Sequence, residues 1–208
     1  MGMPASKQRR WTRAEVLDLI ERNPRHTPRY EVVDGELFVT PSPLPIHQFA
    51  VTQLLYALMT YCKVADVGEA LTSPSDTELE RGTLVQPDVY VVTRAEGMRM
   101  RSTVTGRELL LAVEVLSPGS VRGDRGRKRL LYQRTVPDYW IVDLDARVIE
   151  TWRPDSVRSA LVRDHIEWRP PGASRSRSTS RRILLECSAS VDLAAPSRAA
   201  SCSHEIFR

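Results

Sequence analysis

The ten residues 109–118, LLLAVEVLSP, constrain the fold more than any other stretch of the chain. Apolar side chains fill both alternating sets of positions, so a strand here must be covered on both faces. That demands layers on each side of a sheet rather than a ribbon lying on water. One acid, Glu114, interrupts the run. An ionised carboxylate without partners costs several kcal/mol in such surroundings, so the position calls for a compensating cation.

Around this strand the pattern alternates between helical and extended periods. Residues 11–24, WTRAEVLDLIERNP, open with Thr12 and Glu15 at capping-box spacing, carry Val16, Leu17 and Ile20 on one face, and stop before Pro24. Residues 30–39, YEVVDGELFV, form two alternating halves about Asp34-Gly35, which predicts a hairpin. Residues 47–62, HQFAVTQLLYALMTYC, place Val51, Leu54, Leu55 and Leu58 at helical period. Short strands separated by turns are expected over 70–92, the last and strongest at 89–92. Residues 121–136 read as one helix, polar at first and amphipathic later, ending before Pro137. Residues 139–152, YWIVDLDARVIETW, read as two strands about a turn at 143–146, with Trp140 and Trp152 in the core. The order predicts an α/β domain over residues 10–170 with a central mixed β-sheet flanked by helices. From about Pro170 the chain turns Pro/Ser/Arg-rich without periodicity, so 171–208 is expected to be a flexible tail, in which RRILLECSASV could add one strand.

Composition narrows the classes. No apolar run approaches the ~20 residues of a membrane-spanning helix, and the start, MGMPASKQRRW, has no apolar segment of a secretory signal. Three cysteines, Cys62, Cys187 and Cys202, lack CxxC spacing, which argues against a disulfide framework or a zinc site and for a cytoplasmic location. A net charge of +4 permits nucleic acid as a partner without requiring it. Of the 30 basic side chains only Lys7, Lys63 and Lys128 are lysines. A lysine that persists in such a background is a candidate for a role arginine cannot fill.

Three features then share one logic. QPDVYVV puts Asp88 at the mouth of an apolar strand, VEVLSP puts Glu114 near the end of another, and DRGRKRLLY places Asp124, Lys128 and Tyr132 along one helical stripe. If the strands are neighbours, two carboxylates meet at one sheet edge with a lysine laid across them. Such acids raise each other's pKa unless a cation sits between them, and an oxygen-rich site of this kind suits Mg²⁺ or Mn²⁺. The plainer readings are a strand-start acid for Asp88, a buried salt bridge to arginine for Glu114, and a solvated helix residue for Lys128. The arginines from Arg122 to Arg134 read as a charged helix face, beside the place where a phosphate would pass.

The segments YEVVDGEL, PSPLPIH, QPDVYVV, VEVLSPGS, DRGRKRLLY and VPDYWIVD, in this order, resemble the Uma2 (DUF820) family of the PD-(D/E)XK nuclease superfamily. The resemblance implies a restriction-endonuclease-like core and a metal-dependent endonuclease cutting phosphodiester bonds in nucleic acid, DNA above all. Pro87-Asp88 resembles the PD element and Glu114 the second acid. Position 116, where the superfamily carries its lysine, is Leu116, and Lys128 matches the lysine of this family on the next helix. By the same resemblance Glu31 and His47 approach the site, Tyr132 orients Lys128, and the Val115 carbonyl joins Asp88 and Glu114 as a ligand of Mg²⁺ or Mn²⁺. Glu31 reads otherwise as a solvent-face residue of the hairpin, and His47 as a capping or packing residue. A homodimer is expected by analogy with compact nucleases. The chain departs from the family pattern at Thr135-Val136 and beyond Ser174, where RSRSTSRRILLECSASV replaces an apolar closing strand and short helix. That departure leaves a second reading, a nuclease-fold module that binds nucleic acid or a protein without turnover.

Overall fold

Asp34 and Gly35 both take positive φ, 51° and 80°, as a two-residue hairpin turn that matches strand twist requires. They join β1 (Arg29–Val33) to β2 (Glu36–Thr40). The computed structural model describes residues 9–25, 27–97, 104–163, 165–171 and 182–184. Before the hairpin lies α1 (Arg13–Glu21), closed by the expected Thr12–Glu15 capping box. After it comes α2 (Pro45–Ala65), which ends on Asp66 in the left-handed conformation. The chain continues through β3 (Gly68–Thr72), β4 (Thr77–Glu78), β5 (Val89–Thr93), the single turn α3 (Arg94–Gly97), β6 (Val104–Thr105) and β7 (Leu109–Val115). A short α4 (Val121–Gly123), a wide turn over Asp124–Lys128 and α5 (Arg129–Thr135) lead to β8 (Asp138–Asp143). The described chain closes with β9 (Val148–Trp152), β10 (Ala160–Val162), β11 (His165–Glu167) and β12 (Arg182–Leu184).

The central sheet has six strands in the order β10-β9-β8-β7-β5-β3. Every neighbouring pair is antiparallel except β7 and β8, whose parallel pairing requires the crossover through α4 and α5. All seven residues of β7 are buried, as its unbroken apolar pattern demands. On one face, Val51, Leu54 and Leu58 of α2 pack over Val89, Val91, Leu111, Val113 and Trp140. On the other, Leu131 and Tyr132 of α5 pack with Tyr90, Ala112, Tyr139 and Ile141. The fold is the expected mixed α/β one, with a mixed sheet flanked by helices.

Two expectations need correction. The helix over 121–136 is not continuous: its ladder opens in the wide turn, where Gly126 leaves helical geometry (φ −97°, ψ −113°). Two glycines within four residues, Gly123 and Gly126, make this the weakest stretch of the helix. Trp152 is half-buried rather than core, and the Arg129 guanidinium lies over its ring at 4.4 Å. Trp140 is fully enclosed, as expected. Of the RRILLECSASV stretch, Arg182–Leu184 form β12 against β11, while the rest of the expected tail beyond Pro171 lies outside the described residues. No helix among the described residues is long and apolar enough to cross a membrane.

Candidate active site

Strand alternation and register bring the chemistry to one end of the sheet. Val89 pairs with Val113, so Asp88, one residue before β5, falls beside the C-terminal end of β7, where Glu114 lies. Glu114 shares its parity with Ala112, on the face covered by α5. The hairpin reaches the same end through a bridge between Val32 and Leu84, and the Gln86 N–H donates to Glu31 Oε1 at 2.8 Å. The wide turn then carries Asp124 and Lys128 inward from the crossover.

Lys128 is the centre of this arrangement and is only 3% exposed, which rules out a solvated helix residue. Its Nζ lies 3.0 Å from Glu31 Oε2, 2.9 Å from Glu114 Oε1 and 3.1 Å from Asp124 Oδ1. The Tyr132 hydroxyl donates to Glu114 Oε1 at 3.1 Å, and the Tyr139 hydroxyl donates to the Asp124 carbonyl at 3.3 Å. Asp88 is held separately. Arg29 Nη1 donates to its Oδ1 at 2.8 Å, the Val115 N–H donates to its Oδ2 at 2.9 Å, and His47 Nε2 lies 3.2 Å from the same oxygen.

These surroundings set the protonation of each acid. For Asp88, burial acts against ionisation, but the His47 hydrogen bond, the Arg29 charge and the Val115 N–H outweigh it and hold the carboxyl down at about 2. Glu114 goes the other way. Burial raises its pKa well above the usual carboxylate range, and Asp124, Asp88 and Glu31 push it further while Lys128 opposes. Asp124 is raised as well, again chiefly by burial. Burial works against the charge of Lys128, yet Asp124, Glu114 and Glu31 prevail and raise its pKa well above normal, so it remains an ammonium.

The structure therefore brings together all the residues singled out in the sequence: Asp88, Glu114, Val115, Lys128, Glu31 and His47. Glu31 is fully buried rather than on a solvent face, and the cation on Glu114 is a lysine rather than an arginine. Tyr132 bonds to Glu114, not to Lys128. Two participants escaped the sequence reading. The sequence shows Asp124 only as part of a helical stripe and gives Arg29 no local distinction. Arg29 sits two residues before Glu31 in β1, so strand alternation alone carried the signal.

The lysine and arginine partners of Glu31, Asp88, Glu114 and Asp124 among the described residues are Lys128 and Arg29, so ionising all four acids would leave them two positive charges short, and burial opposes that ionisation at Glu114 and Asp124. Among the described residues, no three His, Cys, Asp or Glu side chains are grouped so as to hold a metal by themselves. Mg²⁺ does not need such a cage, since it takes one or two carboxylates and keeps several waters. Oxygen donors that would be two charges short on full ionisation fit that chemistry, and Asp88 and Glu114 are the acids that would hold such an ion.

The sequence matches the Uma2 family, described as "Putative restriction endonuclease", over residues 14–181. A crystal structure of "a putative nuclease belonging to DUF820" from Anabaena variabilis is similar in fold, with a TM-score of 0.55 and 16% identity. The similarity covers 70% of this chain and 83% of that one. No curated protein matches the sequence significantly.

Proposed function

Because the chain belongs to the Uma2 family, we propose that it is a metal-dependent endonuclease that hydrolyses phosphodiester bonds in DNA. The observation that carries this reading is the buried Lys128 ammonium, enclosed by Glu31, Glu114 and Asp124 at the sheet end that also holds Asp88. Asp88 and Glu114 would hold Mg²⁺ or Mn²⁺, with the Val115 carbonyl as a further ligand. When bound, the ion supplies Lewis-acid polarisation of a phosphoryl oxygen and a more acidic water. Lys128 stabilises negative charge developing on the phosphate and orients the attacking water, a task for a cation rather than a base. Glu31 and Asp124 fix the ammonium, and the Tyr132 hydroxyl fixes Glu114. His47 and Arg29 aim Asp88.

The test is cleavage of supercoiled plasmid and single-stranded DNA in Mg²⁺ or Mn²⁺. Wild type is expected to cut, and Asp88→Asn, Glu114→Gln and Lys128→Ala each to lose on the order of a hundredfold or more, as residues acting as a unit do. Equal cutting by wild type and Lys128→Ala overturns the assignment. One observation favours a second reading, a nuclease-fold module that binds without turnover: each acid already has a protein cation beside it, Arg29 on Asp88 and Lys128 on Glu114. That reading predicts DNA binding with no cleavage and no response of the melting temperature to Mn²⁺.

A further inference from the structure

Arg29 holds Asp88 with only part of its guanidinium. Three bonds leave one nitrogen, Nη1: to Asp88 Oδ1 at 2.8 Å, to the Gln86 carbonyl at 3.1 Å and to Ser73 Oγ at 3.2 Å. Among the described residues, Nε and Nη2 make no hydrogen bond, although a guanidinium presents five donors in a planar fork. The side chain is 16% exposed, so it is neither sealed in the core nor free in solvent. It lines a pocket between the end of α1 and β1, together with Asn23, Tyr30, Pro74 and Gln86. A cation anchored by one nitrogen, with a donor edge left over and a pocket at its side, has the form of a bidentate oxyanion receptor.

We propose that Arg29 is a substrate-binding residue: through Nε and Nη2 it takes a phosphate of the nucleic-acid backbone at the surface beside this small, part-open pocket, while Nη1 keeps Asp88 in place. The inference rests on the nucleic-acid reading above and adds to it the residue that ties strand position to the acid. Lysine at this position would keep the charge and the pairing with Asp88 but would have no second donor edge.

The experiment measures binding of a fluorescent single-stranded oligonucleotide in EDTA, without turnover, to wild type, Arg29→Lys and the control Arg22→Gln. Arg22 is an exposed arginine at the end of α1. Arg29→Lys is expected to raise Kd about tenfold at low salt, on the scale of one bidentate charge-assisted contact, and Arg22→Gln to leave it near wild type. Wild-type affinity in a folded Arg29→Lys overturns the proposal, as does an equal loss in the control. If Arg29→Lys does not fold, Asp88→Asn is compared with the double variant Arg29→Gln/Asp88→Asn, which leaves no unpaired buried charge from this pair. The added change must then still weaken binding about tenfold and lower the salt slope by about one, and no added loss overturns it. Cleavage is read separately. Arg29-dependent binding without cutting in Mg²⁺ or Mn²⁺ defeats the nuclease reading and leaves this one standing.

Discussion

Asp88 and Glu114 are both carboxyl groups at one end of the sheet, yet their neighbours push their protonation in opposite directions. Asp88 falls from an ordinary 3.8 to about 2, so its ionisation stabilises the fold above pH 4 and that stability is lost as pH falls through 2. The linkage is worth about 2 kcal/mol, and Asp88→Asn should flatten the acid limb of a stability–pH curve. Glu114 is raised, so the folded state keeps its proton longer than the unfolded chain does. Its contribution is present below pH 4.5 and is lost as pH rises toward the folded value. Glu114→Gln should therefore remove part of the decline in stability as pH rises above 4.5, measured by urea unfolding in metal-free buffer. A variant that declines as steeply as wild type would show that Glu114 is not the group responsible. At this scale Glu114 and Lys128 were legible, because an acid in an apolar strand and a rare lysine are anomalies within the sequence. Arg29 was not, because nothing distinguishes one arginine among so many until its partner is known.

The strands and helices follow from periodicity where they are long. The hairpin, α2, β5, β7 and the β8–β9 pair all appear where apolar spacing and turn residues place them. The short strands β6 and β10 do not announce themselves, since two or three residues carry no period. The break at Gly126 was hidden for a related reason: the stripe of Asp124, Lys128 and Tyr132 reads the same whether or not the ladder between them opens. Close packing of elements gives a prediction here. Gly68 pairs with Thr93, and a Cβ added to it would lie 2.0 Å from the Val92 carbonyl oxygen and 3.2 Å from the Val92 carbonyl carbon. Backbone cannot retreat as a side-chain tip can, so Gly68→Ala should cost about 1–3 kcal/mol by displacing β3 from β5. The urea midpoint should fall with an unchanged slope. An unchanged midpoint would mean that this edge strand shifts without penalty.

Taken as a whole, the molecule balances a buried cluster of acids against too few cations, and the strongest global test is to supply the missing charge. Mn²⁺ at about a hundred times its Kd should stabilise the fold by about 2.7 kcal/mol, a rise in melting temperature of about 5–10 °C for a domain of this size. The rise should be larger at pH 8 than at pH 5, because a metal competes with protons for raised carboxyls. No rise at either pH would remove the metal from the proposal. By itself the sequence determined the layered α/β class, the buried central strand and the acids and lysine that stand out against their surroundings. Those are local properties, fixed by side-chain period and by the cost of charge in an apolar run. Only the tertiary structure decided that Glu31 turns inward, that Arg29 clamps Asp88 and that Lys128 serves three carboxylates at once. Partners 59 and 97 residues apart meet through strand register and crossover, and no local pattern encodes which distant charge will close a buried pair.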